Sequence, residues 1–162
     1  MRFGTYFFLQ APPGRTDAQI LTEEVNQMVL AEELGFDSVW LTEHHYADYG
    51  LSSAPSVLLA TVDRLSGGRV ELGIGAGWLE DEFQALGSDF ATRGPRTDEH
   101  LEVLRALWRD EIASYHGATV AFDRIKLTTR PLQPGGVPII VGGHSPPALR
   151  RAGRYGTRFS PR

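Results

Sequence analysis

No cysteine occurs among the 162 residues. Disulfides, thiolate metal sites and cysteine nucleophiles are therefore excluded. A basic excess is also lacking: 16 Lys plus Arg stand against 20 Asp plus Glu, a net charge of -4. Nucleic acid is not an expected partner, because its footprint needs a basic face. No apolar run approaches the roughly eighteen residues of a membrane helix, so a membrane is not expected either. Met1-Arg2-Phe3-Gly4-Thr5 lacks the apolar stretch and cleavage site of a signal peptide. The expected location is the cytoplasm. Internal repeats and low-complexity tracts are missing as well. Glycine is plentiful, with 18 residues, and many follow apolar runs. That punctuation, with 41% hydrophobic and 22% charged residues, suits a folded α/β domain.

Apolar patterning alternates between strand and helix periods, the signature of βα units around a parallel sheet. Strands are predicted at residues 3–9, 38–43, 69–74 and 138–141. Asp17 is placed to cap a helix whose face carries Leu21, Val25, Met28, Ala31 and Leu34, and Gly35 to end it. A second helix is predicted from Pro55 to Leu65, a third from Thr97 or Asp98. A hairpin is predicted with arms at 117–122 and 125–129. Pro146 or Pro147 opens a last helix running to about Tyr155. Four parallel strands cannot close a barrel that needs eight.

Three constellations can carry chemistry. Glu43-His44-His45 follows a strand, at the end where parallel sheets place their sites. Side chains alternate along extended backbone, so His44 faces away from its two neighbours. A neutral imidazole there suits a general base, and a solvated loop pair is the plainer alternative. Adjacent strand residues diverge, so no metal site is expected. Gly73-Ile74-Gly75-Ala76-Gly77-Trp78 begins like a dinucleotide fingerprint but has Trp78 where the third glycine belongs. Gly142-Gly143-His144-Ser145 ends a strand before a helix. Such a loop either holds an anion, phosphate above all, or simply caps the helix. Glu80, Asp81 and Glu82 read as a solvated helix start. Arg150, Arg151 and Arg154 read as a solvated helix face able to add positive potential.

In these residues the chain resembles the bacterial luciferase-like, flavin-dependent monooxygenases. The resemblance rests on Arg2-Phe3-Gly4 and on the run from Ala31 to His45. It continues through Leu65 to Trp78 and through Pro138 to Ser145. It implies a TIM-barrel ancestry, reduced FMN, molecular oxygen and a small organic substrate; some relatives use a deazaflavin. By the same resemblance His44 is the acid/base beside the flavin, while Gly142, Gly143, His144 and Ser145 take its phosphate. The luciferase branch carries an acidic residue at the position of His144, Thr at Ala148 and Arg at Ala76, so the chain departs from that branch there.

The family pattern also implies a gap. Pro55–Ala60 matches the start of one family helix and Thr61–Gly68 the end of the next. A strand and parts of two helices are missing between Ala60 and Thr61, about one βα unit. The expected fold is therefore a partial (β/α)8 TIM barrel over 1–162, a single domain shortened near 60/61 and truncated at its C-terminus. Unpaired edges, with Val39, Leu41 and Leu72 as candidate exposed surface, predict a homo-oligomer or pairing with a full-length relative. Two functions compete. One is a flavin-dependent monooxygenase or deazaflavin oxidoreductase. The other is a catalytically impaired fragment that binds flavin or phosphate, or acts as an interaction module.

Overall fold

A computed structural model of the protein describes residues 3–7, 14–41 and 55–160. It divides into two compact units, residues 1–56 and 57–162.

The first unit is a βαβ motif. Strands β1 (Gly4–Phe7) and β2 (Ser38–Leu41) pair in parallel, in register from Gly4 opposite Ser38 to Phe7 opposite Leu41. Helix α1 (Asp17–Glu33) connects them. Its cap is Thr16, one residue before the expected Asp17, in a reciprocal capping box. Thr16 Oγ1 accepts from the Gln19 N–H at 3.3 Å, and Gln19 Oε1 accepts from the Thr16 N–H at 2.9 Å. The Gln three residues on makes this cap better than a lone Asp. Gly35 ends the helix as expected, at a φ of 86° that penalises any Cβ. Gly4 is required by its neighbours: a Cβ there would lie 2.5 Å from Ser38 Oγ and 2.9 Å from Trp40 Nε1.

The second unit is built on β6 (Ile139–Gly142), flanked in parallel by β3 (Leu72–Ile74) and β7 (Arg158–Ser160). Ile139, Ile140 and Val141 are buried. Helix α4 (Arg93–Arg109) lays Leu101 and Trp108 against Val137, Ile139, Val141 and Tyr155 to form the core. It starts four residues ahead of the expected Thr97, because Pro95 falls in the first turn, where its missing N–H has no intrahelical role. Helix α2 runs from Pro55 to Leu65 as predicted. Its buried Asp63 accepts from the Leu132 N–H at 2.7 Å and from Gln133 Nε2 at 2.8 Å. The expected hairpin exists but sits earlier, as β4 (Ala113–His116) and β5 (Ala121–Ile125). Its turn is clamped by buried Glu99, whose carboxylate accepts from the N–H groups of Thr119 and Val120, both at 2.9 Å. Gly117 leaves room for that carboxylate.

Candidate functional site

Strand β6 delivers Gly142, Gly143, His144 and Ser145 to the C-terminal end of the sheet. Gly143 has a φ of 106°, and a Cβ there would crowd Ala148 Cβ at 3.2 Å. Bare backbone therefore lines this turn, which an oxyanion can approach closely. Ser145 caps helix α5 (Pro146–Tyr155), its Oγ accepting from the Ala148 N–H at 3.4 Å. His144 and Ser145 are both exposed.

The donors of this loop can be counted. Pro146 and Pro147 carry no N–H. The Ala148 N–H is taken by the Ser145 hydroxyl, and the Leu149 N–H by the Ser145 carbonyl at 3.0 Å. The first turn of α5 therefore offers its dipole but no spare N–H. An anion here would be held by the Ser145 hydroxyl proton, by His144 and by backbone of the Gly142–Ser145 turn.

The neighbouring strand adds a second loop at the same end. Ile74 of β3 lies beside Val141 of β6 in parallel register, so Gly75-Ala76-Gly77-Trp78 leaves the sheet next to Gly142. Gly77 has a φ of 85°, and a Cβ there would lie 2.7 Å from the Phe83 ring. Trp78 is 75% exposed, so it is not a core residue. On the other side, Ser160 of β7 lies opposite Gly142.

Helix α5 is pinned along its length to α4. The expectation of a solvated arginine face fails for Arg151, which is 5% exposed. Its Nε donates to Asp98 Oδ1 at 2.6 Å, and its terminal nitrogen to the Gly94 carbonyl at 2.9 Å. Spacing alone hid this, because Ala148, Arg151 and Tyr155 share the buried face of α5. One turn on, Glu102 Oε1 accepts from the Tyr155 hydroxyl at 2.6 Å and from Arg154 at 2.7 Å. Its other oxygen accepts from the Tyr115 hydroxyl at 2.9 Å. These bonds, Tyr155 first, hold the Glu102 carboxyl below its ordinary range. Burial, and then the bond to Glu102, pushes the Tyr155 phenol up to about 12. Sequence reasoning missed Glu102, Tyr155 and Asp63.

Glu80, Asp81 and Glu82 open the short helix α3 (Glu80–Ala85), which has no buried residue. His44, with Glu43 and His45, lies outside the described residues. Among the described residues no group of three or more potential ligands is placed to hold a metal ion. Likewise, no helix there is long and apolar enough to cross a membrane.

A parallel α/β sheet ending in paired Gly loops is the arrangement the resemblance implies, and comparison with known families decides it. The luciferase-like monooxygenase family matches residues 1–60 and again 58–161. The chain belongs to the luciferase-like monooxygenase family. Among curated relatives, the 4-hydroxyprotoasukamycin monooxygenase of Streptomyces nodosus subsp. asukaensis is 28% identical over 95% of this chain and 50% of its own length. That alignment runs over 187 positions, so roughly thirty have no counterpart here. The chain spans about half the length of such full-length relatives. Two solved structures show the same fold. One is the oxygenating constituent of 3,6-diketocamphane monooxygenase from Pseudomonas putida, in complex with FMN. Its TM-score is 0.79 at 20% identity, over 98% of this chain and 56% of that one. The other is an F420-dependent secondary alcohol dehydrogenase, with a TM-score of 0.74 at 24% identity, over 98% and 58%. This luciferase-like chain thus shares an α/β fold with FMN and F420 enzymes alike.

Proposed function

We propose that the protein is a flavin-dependent oxidoreductase of luciferase-like type that takes the phosphate of FMN at Gly142, Gly143, His144 and Ser145. The observation carrying this reading is the half-buried Gly142-Gly143 backbone at the end of β6, followed by the exposed His144 and Ser145. There Gly143 keeps Cβ-free backbone open and Ser145 retains a hydroxyl proton to donate. Reduced FMN would supply the two electrons for chemistry with molecular oxygen toward a small organic substrate. The protein's part is to orient the phosphate through Ser145 and His144 and to wall the site with Trp78. For His44 the reading rests on the resemblance: it moves the proton at the reacting centre. A deazaflavin cofactor also carries a phosphate on its ribityl chain, and the same loop would serve it. The shared fold of FMN and F420 enzymes supports both.

The two-part family match overlapping at 58–60, and the roughly thirty unmatched positions, support a partial barrel that lacks one βα unit near 60/61. That favours a second reading, a binding module with impaired turnover. Misplacement by about 1 Å can cost a hundredfold in rate. Spectroscopic titration with FMN tests the cradle, and Ser145→Ala should weaken binding about fivefold, the value of one hydrogen bond. Unchanged affinity would place the phosphate elsewhere. Supplying reduced FMN, oxygen and a panel of aldehydes separates the two readings. Oxygenated product identifies the enzyme, whereas FMN binding without product above the protein-free control identifies the impaired module. If product forms, His44→Ala should lower its rate by about 10²–10⁴-fold and His45→Ala by much less. Equal losses would remove His44 from its role.

A further inference from the structure

We propose that Glu102 is the positioning residue of the phosphate loop, acting through Tyr155 and Arg154 to fix helix α5 and thereby the Ser145 hydroxyl. The inference rests on the reading that Gly142–Ser145 holds the FMN phosphate. Two constraints set that loop. One is β6, buried and paired on both edges. The other is α5, which is only ten residues long and carries Ser145 as its cap. A helix that short is not stable by itself, so its direction depends on what holds its far end.

The far end is held by Glu102. Its Oε1 takes both the Tyr155 hydroxyl at 2.6 Å and Arg154 at 2.7 Å, while its Oε2 takes Tyr115 of β4 at 2.9 Å. Arg105, one turn further along α4, reinforces this by donating to the Tyr155 carbonyl at 2.7 Å. A single carboxylate thus joins α4, the hairpin and α5. If it is lost, α5 can swing about its Arg151 anchor, and its N-terminal cap moves with it. Arg151 is a poorer probe than Glu102, because removing it leaves Asp98 without its buried partner.

The test compares affinities for FMN and for riboflavin, which differ only by the phosphate, in the full chain. A general loss of stability weakens both alike, whereas a misplaced loop weakens FMN alone. Glu102→Gln and Tyr155→Phe should each lower the FMN-to-riboflavin ratio roughly fivefold with riboflavin affinity unchanged. Tyr155→Phe removes one hydroxyl and keeps the ring in the core, so it serves if Glu102→Gln fails to fold. Glu99→Gln, one turn away on α4 but bonded to the hairpin, should leave the ratio alone. If Ser145→Ala lowers the ratio while Glu102→Gln and Tyr155→Phe do not, the positioning role is overturned and the cradle stands. An equal fall in Glu99→Gln overturns the positioning role too. If Ser145→Ala leaves the ratio unchanged, or the parent fails to prefer FMN, the cradle reading falls and this proposal falls with it.

Discussion

Tyr155 couples stability to alkaline pH. Its phenol titrates near 10 in an unfolded chain and at about 12 here, because burial and the Glu102 carboxylate disfavour the phenolate. A raised value in the folded state means that the contribution is complete below pH 10. It is lost as pH rises through about 12. Thermal melts should therefore show a fall in melting temperature between pH 10 and 12 that Tyr155→Phe reduces, while Tyr115, whose phenol is also pushed up by burial and its bond to Glu102, supplies part of the remainder. The same slope in the variant would assign it to other groups. Asp63 is a second residue whose importance shows only in three dimensions. Its carboxylate is completely buried and accepts from Leu132 and Gln133, far along the chain. Asp63→Asn puts a donor where those donors point, at a cost of about 1–3 kcal/mol in urea unfolding. The Gly142–Ser145 loop was legible because strand, glycines and helix opening adjoin in sequence. Glu102, Asp63 and Arg151 were not, because their partners are distant and helix periodicity does not say which polar residue turns inward.

At the scale of elements, the parallel strands and the long helices follow from local patterning, and the differences have local causes. Helix α4 begins at Arg93 because a proline in the first turn displaces nothing. The hairpin sits earlier than its apolar pattern suggests. Its position is set by Glu99, which fixes the turn at Thr119 and Val120, rather than by alternation. Strand β7 was unreadable because three residues carry too little pattern, and it forms by pairing with β6. The Glu99 clamp makes its own prediction. Hydrogen bonds from Thr119, its side chain first, and then from Val120 hold the Glu99 carboxyl below its ordinary 4.5. A lowered value in the folded state means the clamp is complete above pH 4.5 and is lost as pH falls through the folded value. Hydrogen exchange at the Thr119 and Val120 amides, corrected for intrinsic rates, should therefore accelerate in acid. Glu99→Gln should accelerate it severalfold at neutral pH, with little change in the core of β6. Protection that survives in the variant would show the turn to be held by the β4–β5 ladder alone.

At the scale of the molecule, the patterning of α1 and the strands defined each unit but could not say what covers its apolar faces. In the first unit Tyr6 is 62% exposed, Val39 41% and Leu34 69%. Val25, Val29 and Leu30 of α1 are exposed as well. Among the described residues, β1 and β2 are each paired on one edge only, as are β3 and β7. Strands with bare edges and apolar side chains template further pairing unless charge or proline blocks it. Neither β1, Gly-Thr-Tyr-Phe, nor β2, Ser-Val-Trp-Leu, carries such a gatekeeper, and a net charge of -4 repels only weakly. The protein should therefore self-associate at concentrations of roughly tens of micromolar, with an interface drawn from these strands. Sedimentation velocity across a dilution series should show a mean mass above that of the 17.9 kDa chain. Val39→Lys, a charge on the exposed face of β2, should shift it toward the monomer without lowering the melting temperature of the second unit. A monomer throughout the series would overturn this prediction. Association that ignores Val39→Lys would move the interface to the edges of β3 and β7.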